Sequence, residues 1–288
     1  MILITGATGF IGKPLTQSLM KKQKVRVLAR DAQKAKKLFP KAEVFRGDLL
    51  DRDSLEGVER GVSAVIHLAG MVSYSKPRED LFKANVQTTR NLIDSCRKAE
   101  RFIFSSSVSV YGEIKGSASE DYPLSPQNPY GESKVEAERL VSELPGSVSL
   151  RIAPIYGTGS PSWRKNLKLL ERGFPIPKTR NLTHVVHISD VVQAFERALK
   201  GKPGVYNIAD SEPLPFMEFA ESIMIGLGKK PRKMPFFVVK ALARSAGMGK
   251  YLHVLTMNRK YSIKKAEKEL GYRPKADFKK ELKNMIDW

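Results

Sequence analysis

The fold of this chain can be predicted from its first residues, Met1-Ile-Leu-Ile-Thr-Gly6-Ala-Thr-Gly9-Phe-Ile-Gly12. Its first five residues are an apolar run rich in β-branched side chains, which predicts a strand. Three glycines follow at a spacing of three, and an apolar helical period begins at Ile11. A strand, a glycine turn and a helix in this order are typical of a dinucleotide-binding site. Glycines let a pyrophosphate approach the backbone N–H groups at the positive end of the helix.

The first half of the chain alternates predicted strands with predicted helices. The strands are expected over residues 1–5, 24–29, 43–46, 63–68, 101–106 and 147–153. The helices are expected over residues 11–22, 31–38, 79–99 and 130–143. This alternation predicts an α/β fold, a Rossmann-type doubly wound parallel sheet with helices on both faces.

The second half of the chain is less regular. The same pattern of strands and helices is used to divide the chain into domains. Residues 205–209 are expected to return to the sheet as a further strand, and Asp190 is expected to cap a helix. We therefore expect a dinucleotide-binding domain of residues 1–154 plus about 187–209. The remaining residues, about 155–186 and 210–288, are expected to form a smaller, mostly C-terminal substrate lobe.

Composition places the chain among ordinary globular proteins. It has 288 residues, of which 41% are apolar and 28% charged, and no apolar run reaches membrane-spanning length. The first predicted strand begins at Met1, so no signal peptide is expected. A single cysteine, Cys96, excludes an internal disulfide and a cysteine metal cluster. We expect a cytoplasmic protein without a metal site.

The net charge of +20 is unevenly placed. Residues 1–150 hold 23 Lys and Arg against 18 Asp and Glu, a balance of +5, and residues 151–288 hold 27 against 12, a balance of +15. Three explanations of the excess positive charge compete: a solvated basic surface, an anionic substrate or acidic lipid surface, and a nucleic-acid partner. The basic residues are scattered and no nucleic-acid motif accompanies them, so a nucleic-acid partner is not expected.

Tyr130 and Lys134 form a Tyr-x-x-x-Lys pair, and Ser107 ends the apolar run that precedes it. Four residues along a helix place both side chains on one face. An ammonium group favours the phenolate of a neighbouring tyrosine, so Tyr130 would exchange a proton with a substrate oxygen. A hydroxyl at the carboxyl end of a strand lies where open α/β sheets bind ligands, so Ser107 would hold that oxygen.

Together these motifs resemble the extended short-chain dehydrogenases/reductases, the NAD(P)-dependent epimerase/dehydratase superfamily. The resemblance covers nearly the whole chain. The matching segments are Thr5-Gly-Ala-Thr-Gly-Phe-Ile-Gly12, Gly47-Asp-Leu49, His67-Leu-Ala-Gly70, Asn85-Val, Ser105-Ser-Ser-Val-Ser-Val-Tyr-Gly112, Tyr130-Gly-Glu-Ser-Lys134, Arg151-Ile-Ala-Pro-Ile-Tyr-Gly157, His187-Ile-Ser-Asp190 and Leu270-Gly-Tyr-Arg-Pro274.

The resemblance implies that Ser107, Tyr130 and Lys134 are catalytic. It implies that Tyr130 and Lys134 also contact the cofactor, with Lys134 on the nicotinamide ribose. It implies that Asp48 accepts a hydrogen bond from the adenine amino group, whereas Asn85 is structural rather than chemical. The remaining cofactor-binding candidates lie in the glycine turn and at later strand ends, and they are Gly6, Thr8, Gly9, Phe10, Ile11, Gly12, Leu49, Leu68, Ala69, Gly70, Pro154 and Ile155.

The end of the second predicted strand bears on the choice of cofactor. An acidic residue there would bind the adenosine ribose and select NAD. This strand instead ends at Arg30, whose planar guanidinium suits a 2′-phosphate. Asp31 either caps the next helix or reaches the ribose. NADP(H) is therefore favoured, and NAD(H) remains an alternative.

The sequence fits two catalytic branches of the superfamily and, as a third possibility, a non-catalytic class. The favoured branch resembles 3β-hydroxysteroid dehydrogenases and dihydroflavonol reductases, which exchange hydride with an alcohol or ketone. Pro154 supports it, because nucleotide-sugar enzymes usually carry asparagine there. The alternative is a nucleotide-sugar (UDP-sugar) 4-epimerase or dehydratase that keeps NAD bound, and the basic second half supports that one. A non-catalytic NADP(H)-binding sensor or assembly factor is a second alternative, against which Tyr130 and Lys134 count.

Further expectations concern the partner of the protein and the wall of its pocket. A homodimer is implied by the resemblance alone. The apolar helix expected over residues 235–247 is interpreted as packing over the substrate pocket, as a dimer contact, or as a membrane-surface element beside its flanking cations. Candidates for the pocket wall are Met71, Tyr74, Tyr111, Trp163 and His184.

Overall fold

Parallel strand pairing organises the computed structural model of the protein, which describes residues 1–160, 171, 173–245, 247, 252 and 256–286. Seven strands form the main sheet, and they are β1 (Ile2–Thr5), β2 (Val25–Ala29), β3 (Glu43–Arg46), β4 (Ala64–His67), β5 (Arg101–Ser107), β6 (Ser147–Ile152) and β11 (Gly204–Ile208). All are parallel, and their order across the sheet is β11-β6-β5-β4-β1-β2-β3. The predicted doubly wound sheet is confirmed, including the late return of the strand at Gly204–Ile208.

Helices connect these strands and follow them along the chain. They are α1 (Gly12–Leu19), α2 (Ala32–Leu38), α3 (Arg78–Phe82), α4 (Thr88–Ser95), α5 (Pro129–Ser142), α6 (Ile188–Ala198), α7 (Phe216–Gly226), α8 (Phe236–Ser245), α9 (Lys264–Glu269) and α10 (Phe278–Ile286). A π-helical turn, Lys83–Gln87, joins α3 to α4, so the segment predicted as one helix over 79–99 contains an inserted wider turn.

The sheet is buried on both faces, as its apolar strands predict. Alternate residues of a strand point to opposite faces. Ile4 and Ile66 belong to one hydrophobic cluster, whereas their neighbours Leu3 and Val65 belong to the other. The two clusters are the two layers of helix-on-sheet packing that a doubly wound fold requires.

Short strand pairs outside the main sheet were not predicted from the sequence. β7 (Ile155–Tyr156) pairs with β10 (Val186–His187), β8 (Ile176–Lys178) with β13 (Lys233–Pro235), and β9 (Leu182–Thr183) with β12 (Leu214–Pro215). Segments of two or three residues are too short to show a periodicity of their own. No helix within the described ranges has the length and apolar character needed to cross a bilayer.

The cap predicted at Asp190 was wrong. Helix α6 begins at Ile188, and the His187 side chain caps it by accepting a hydrogen bond from the Ser189 N–H. The Asp190 carboxylate lies in the first turn, where it accepts hydrogen bonds from the backbone N–H groups of Lys275 and Ala276. It therefore fastens a distant segment of chain to α6.

Candidate active site

Apart from Tyr130 and Lys134, which lie on α5, the predicted site residues lie at the carboxyl ends of six adjacent strands. Parallel strands expose their carboxyl ends along one edge of a sheet, and ligands bind there, where the strand order reverses between β1 and β4. The sheet order therefore arranges the candidates in one row. From β6 to β3 the row reads Pro154 and Ile155, Ser107, residues 68–70, the glycine turn, Arg30, and Asp48 with Leu49.

The three glycines of the turn differ in how closely the rest of the protein approaches them. Gly6 has a φ of +68°, and a Cβ there would lie 2.6 Å from the Ala69 nitrogen. A Cβ at Gly12 would lie 2.6 Å from the Ala7 Cα, so this glycine allows α1 to pack against the turn. At Gly9 a Cβ would meet only the Gly6 oxygen, at 3.2 Å. The protein's own packing would therefore tolerate a Cβ at Gly9 better than at Gly6 or Gly12. This fits a position whose space is left open for a ligand.

Helix α1 begins directly after this turn without a side-chain cap and without an acidic residue in its first turn. Thr8 and Gly9 are exposed, and Phe10 and Ile11 are partly buried. Uncapped N–H groups at a helix N-terminus attract anions. The turn therefore fits the pyrophosphate of a dinucleotide.

A buried chain of hydrogen bonds holds the segment after β4 against the turn. The Ala69 N–H donates to the Thr5 hydroxyl (3.2 Å), which lies 2.7 Å from His67 Nδ1. His67 Nε2 lies 3.0 Å from the Thr89 hydroxyl, and that hydroxyl donates to the Asn85 carbonyl (2.6 Å). Because each hydroxyl has one proton, the chain assigns the proton of His67 to Nε2. Burial, and then the charge of Lys134, lower the pKa of His67 to about 3, which keeps it neutral.

Asn85 holds the same segment from the other side. It lies in the π-helical turn, and its side chain accepts from the Met71 N–H (2.7 Å) and donates to the Met71 carbonyl (3.0 Å). Its amide also donates to the Ser133 hydroxyl on α5 (2.8 Å). Asn85 therefore ties the segment before Met71 to α5, the structural role that the resemblance implied.

Three consecutive serines of β5 meet one face of α5, on which Tyr130, Lys134 and Glu138 are spaced by four residues. The Ser107 hydroxyl accepts from the Ser109 N–H and lies close enough to the Tyr130 phenol to lower its pKa. Lys134 Nζ donates to the Ser105 carbonyl at 2.8 Å. The Ser106 hydroxyl donates to Glu138. The structure thus brings the three predicted catalytic residues together and gives each serine a different partner.

The direction of the tyrosine pKa differs from the prediction. Burial raises the pKa of Tyr130, the charge of Tyr74 adds to this, and the Ser107 hydroxyl opposes it. Burial lowers the pKa of Lys134 from 10.5 to about 8, whereas the charge of Glu138 raises it. The pKa of Tyr130 is therefore raised, contrary to the expected lowering by Lys134, because Lys134 Nζ is directed to the Ser105 carbonyl and desolvation of the phenol dominates.

One aromatic side chain, Tyr74, packs against Tyr130, and apolar residues precede it in the chain. The Tyr74 ring packs edge-on against the Tyr130 ring with 6.0 Å between centroids, and Tyr74 is 52% exposed. Val72, two residues earlier, is 69% exposed, and Met71 is partly buried. Tyr74 and Met71 therefore remain candidates for the pocket wall.

Two other wall candidates are core residues. The Tyr111 hydroxyl donates to Asn207 (2.7 Å), and its side chain is fully buried. His184 bonds the Asp210 carbonyl and the Tyr261 N–H and is 2% exposed. Trp163 lies outside the described residues.

The far end of the row holds the residues predicted to bind adenosine. Arg30 is exposed and makes no ion pair within the described parts of the chain. Asp31 caps α2 by accepting a hydrogen bond from the Lys34 N–H. Of the two roles considered for Asp31, the structure therefore shows the helix cap. Arg46, which sequence reasoning missed, is exposed at the end of β3 beside Ala29, the residue before Arg30.

Asp48 and Leu49 occupy the turn after β3. Asp48 Oδ1 accepts from the Leu50 N–H (3.0 Å), which makes it a turn aspartate as well as a candidate ligand. Leu49 is 8% exposed, and its carbonyl accepts from Asn91 (2.8 Å). The turn is thereby fixed to α4.

Pro154 and Ile155 lie beyond the end of β6, which is paired in register with β5 so that Ser107 stands opposite Ile152. Pro154 is exposed, and Ile155 is partly buried. Farther along this segment, a Cβ at Gly159 would lie 3.8 Å from the Phe10 ring. The segment therefore reaches from the serine end of the row to the glycine turn.

A family model described as the NAD dependent epimerase/dehydratase family matches residues 2–209 of the chain. The chain is 26% identical to a 3beta-hydroxysteroid-dehydrogenase/decarboxylase, isoform 2, of Arabidopsis thaliana over 99% of its own length, and it spans 61% of that protein. It is 28% identical to a 3-beta-hydroxysteroid dehydrogenase of Mycolicibacterium neoaurum, with 95% of this chain and 87% of that one covered.

The fold also matches solved structures. A UDP-glucose 4-epimerase of Thermus thermophilus, solved in complex with NAD, superposes with a TM-score of 0.78 at 26% identity over 99% of this chain and 97% of the other. The family match covers the sheet and the whole row of candidate residues, and it confirms the resemblance inferred from the motifs. The chain belongs to the NAD-dependent epimerase/dehydratase family of the extended short-chain dehydrogenases/reductases.

Proposed function

We propose that the protein is an NADPH-dependent oxidoreductase that interconverts a ketone and a secondary alcohol through Ser107, Tyr130 and Lys134. The observation that carries the proposal is the meeting of Ser107 and Tyr130 at the carboxyl edge of β5, with Lys134 one helical turn away. A substrate oxygen held by these two hydroxyls would lie beside the predicted nicotinamide end of the row.

The hydroxyl protons support this assignment. In the reducing direction Tyr130 donates a proton to the substrate oxygen, and its raised pKa keeps that proton in place until the oxygen becomes basic. Ser107, which accepts from the Ser109 N–H, still has its own proton to donate to the substrate. Lys134, with a pKa of about 8, supplies positive charge as the phenolate forms. A bound nicotinamide supplies the hydride.

The cofactor would lie along the row described above. The glycine turn would hold the pyrophosphate, residues 68–70 would pass under the cofactor, and Pro154 and Ile155 would flank the nicotinamide. Asp48 would contact the adenine. Arg30 would pair with a 2′-phosphate, and Arg46 offers a second cation at the same corner. This corner supports NADPH over NADH.

The substrate class is inferred from the wall in front of Tyr130. Val72 and Tyr74 are exposed there, and an apolar, aromatic wall favours an apolar ketone over a sugar. We place the substrate between this wall and the lobe of residues about 155–186 and 210–288, with the cofactor on residues 1–154 and about 187–209. A homodimer remains part of the proposal.

A nucleotide-sugar 4-epimerase is the second candidate. The likeness to the Thermus thermophilus enzyme supports it, as does the balance of +15 over residues 151–288. Such an enzyme returns the hydride to the same substrate and has no need to release its cofactor.

The experiment that separates the two candidates uses the purified protein without added cofactor. After denaturation, any released nucleotide is identified by mass spectrometry, and NADPH and NADH are titrated into the protein as isolated. We expect an empty site that binds NADPH reversibly and more tightly than NADH, followed by turnover with apolar ketones. Stoichiometric retained NAD⁺ would favour the epimerase instead.

A further inference from the structure

The segment of residues 229–245 combines exposed phenylalanines with unbalanced positive charge. It reads Lys-Lys-Pro-Arg-Lys-Met-Pro-Phe-Phe-Val-Val-Lys-Ala-Leu-Ala-Arg-Ser and contains six cations and no carboxylate. Phe237 is 74% exposed, and Leu242 is 44% exposed. An exposed phenylalanine and an exposed leucine next to a cluster of cations form a surface of the kind that binds partners or membranes.

The helix in this segment, α8, is anchored to the protein by a narrow face. Val239 and Ala243, one turn apart, are fully buried in a cluster with Phe174, Met234 and Leu252. The strand before it, β13, pairs with β8. Of the alternatives open from the sequence, packing over the substrate pocket thus leaves most of α8 unexplained, because two small residues make the buried contact.

The opposite face of α8 points to solvent. Phe237, Lys240, Ala241 and Arg244 follow the i, i+3, i+4, i+7 spacing of one helical face, and all four are exposed. A phenylalanine beside two cations on one face is the arrangement of an interfacial helix, whose aromatic ring enters the acyl boundary while cations contact phosphate groups.

The charges of the segment favour an anionic surface. Lys233 pairs with Glu221 on α7, and the other five cations make no ion pair within the described residues. Ile225, which is 65% exposed, lies at the end of α7 four residues before Lys229. Unpaired cations beside exposed apolar side chains complement a bilayer that carries acidic headgroups.

We propose that residues 229–245 form a docking surface for an anionic phospholipid bilayer, with Phe237 inserted at the interface and Lys240 and Arg244 on the headgroups. The helix lies along the surface of the bilayer. This inference does not rest on the proposed function, because it predicts binding to vesicles without turnover, whichever reaction the protein catalyses.

The test is sedimentation of the full chain with vesicles of phosphatidylcholine, with or without about 30 mol % phosphatidylglycerol. We expect binding to the anionic vesicles only, weakened when the salt concentration rises from about 0.1 M to about 0.5 M. Lack of binding to anionic vesicles at low salt, or equal binding to neutral ones, would overturn the proposal.

A matched pair of double variants separates this face from the charge of the whole protein. Lys240→Glu with Arg244→Glu should weaken binding at least about 25-fold, since each cation near an anionic surface contributes about fivefold. Lys264→Glu with Lys268→Glu changes the net charge equally on exposed positions of α9 and should change binding less than about twofold. Equal losses in the two variants would mean that general charge attraction, rather than α8, causes binding.

Phe237→Ala tests the insertion step and should weaken binding about tenfold without a change in the melting temperature, because the ring is exposed. An unchanged affinity would exclude insertion of Phe237. Sedimentation velocity of the same variant tests a second copy of the chain as the occupant. A dimer that Phe237→Ala converts to monomer would overturn the proposal in favour of a protein contact on this face.

Discussion

The Ser106 hydroxyl donates a hydrogen bond to the Glu138 carboxylate, and this buried carboxylate also receives the Arg151 guanidinium at 2.8 Å. Arg151 and Glu138 are each less than a tenth exposed. The two Arg151 Nη1 protons go to the Tyr111 hydroxyl and the Glu120 carbonyl, each at 2.9 Å. The network fixes α5 to β5 and β6, and so sets the position of the two candidate catalytic residues on the same helix.

Glu138→Ala should destabilise the protein strongly, because it leaves Arg151 as an unpaired buried charge. We expect a loss of about 3–5 kcal/mol in the free energy of unfolding, measured by urea denaturation. Glu136→Ala on the same helix is the control, since its ion pair with Arg139 is exposed to solvent and should contribute less than about 1 kcal/mol. Similar losses in both variants would contradict a special role for the buried pair.

Tyr130→Phe should lower turnover at least about a hundredfold, because it removes the proton donor and keeps the ring. Cofactor affinity should change little, since the phenol meets the substrate oxygen. Turnover is followed by NADPH absorbance, and affinity by titration. Tyr122→Phe is the matched control, because among the described residues the Tyr122 hydroxyl accepts only the backbone N–H of Lys115. Substantial turnover in Tyr130→Phe would remove the catalytic assignment.

Arg30→Ala should weaken the binding of NADPH about tenfold to a hundredfold, because a charge-assisted pair with the 2′-phosphate is lost. The affinity for NADH should stay nearly unchanged. Both affinities are measured by titration calorimetry. The control is Arg97→Ala, an exposed arginine on a surface ion pair with Asp94. If the affinities for NADPH and NADH fall equally, Arg30 does not bind the 2′-phosphate.

Gly9→Ala and Gly12→Ala should separate cofactor binding from folding. At Gly9 the added methyl group meets a single backbone oxygen at 3.2 Å, so stability should change by less than about 1 kcal/mol while cofactor affinity falls at least about tenfold. At Gly12 it meets backbone atoms of Ala7, and we expect a loss of about 1–3 kcal/mol in unfolding free energy. Equal cofactor affinity in Gly9→Ala and the unmodified protein would contradict a phosphate contact at Gly9.

Much of this architecture could be predicted because its signals are local. The glycine turn and the buried strands are read from consecutive residues. The hydrogen-bond chain through His67 could not be predicted in this way, since Thr5 and Thr89 stand 62 and 22 residues from it. The pKa of Tyr130 was predicted in the wrong direction because burial and the acceptor chosen by Lys134 depend on tertiary packing.

Asp210→Asn should change the pH dependence of stability. Asp210 is 8% exposed, and burial, with the charges of Asp190 and Asp277, raises its pKa from 3.8 to about 7 against the hydrogen bonds from Tyr156 and the His187 N–H. The folded state therefore binds this proton more tightly than the unfolded state does. Its contribution to stability is present below about pH 4 and is lost as the pH rises to about 7.

The amide of the Asp210→Asn variant has no proton to lose across this window. The variant should match the unmodified protein near pH 4 and exceed its unfolding free energy by up to about 4 kcal/mol above pH 7, as measured by urea denaturation across the range. His67 contributes the opposite slope, since its folded pKa of about 3 lies below the ordinary value of 6.5, but it does so in both proteins and cancels in the difference. Asp51→Asn, at an exposed position, should show no such trend. A difference that stays constant with pH would mean that the pKa of Asp210 is the same in the folded and the unfolded protein.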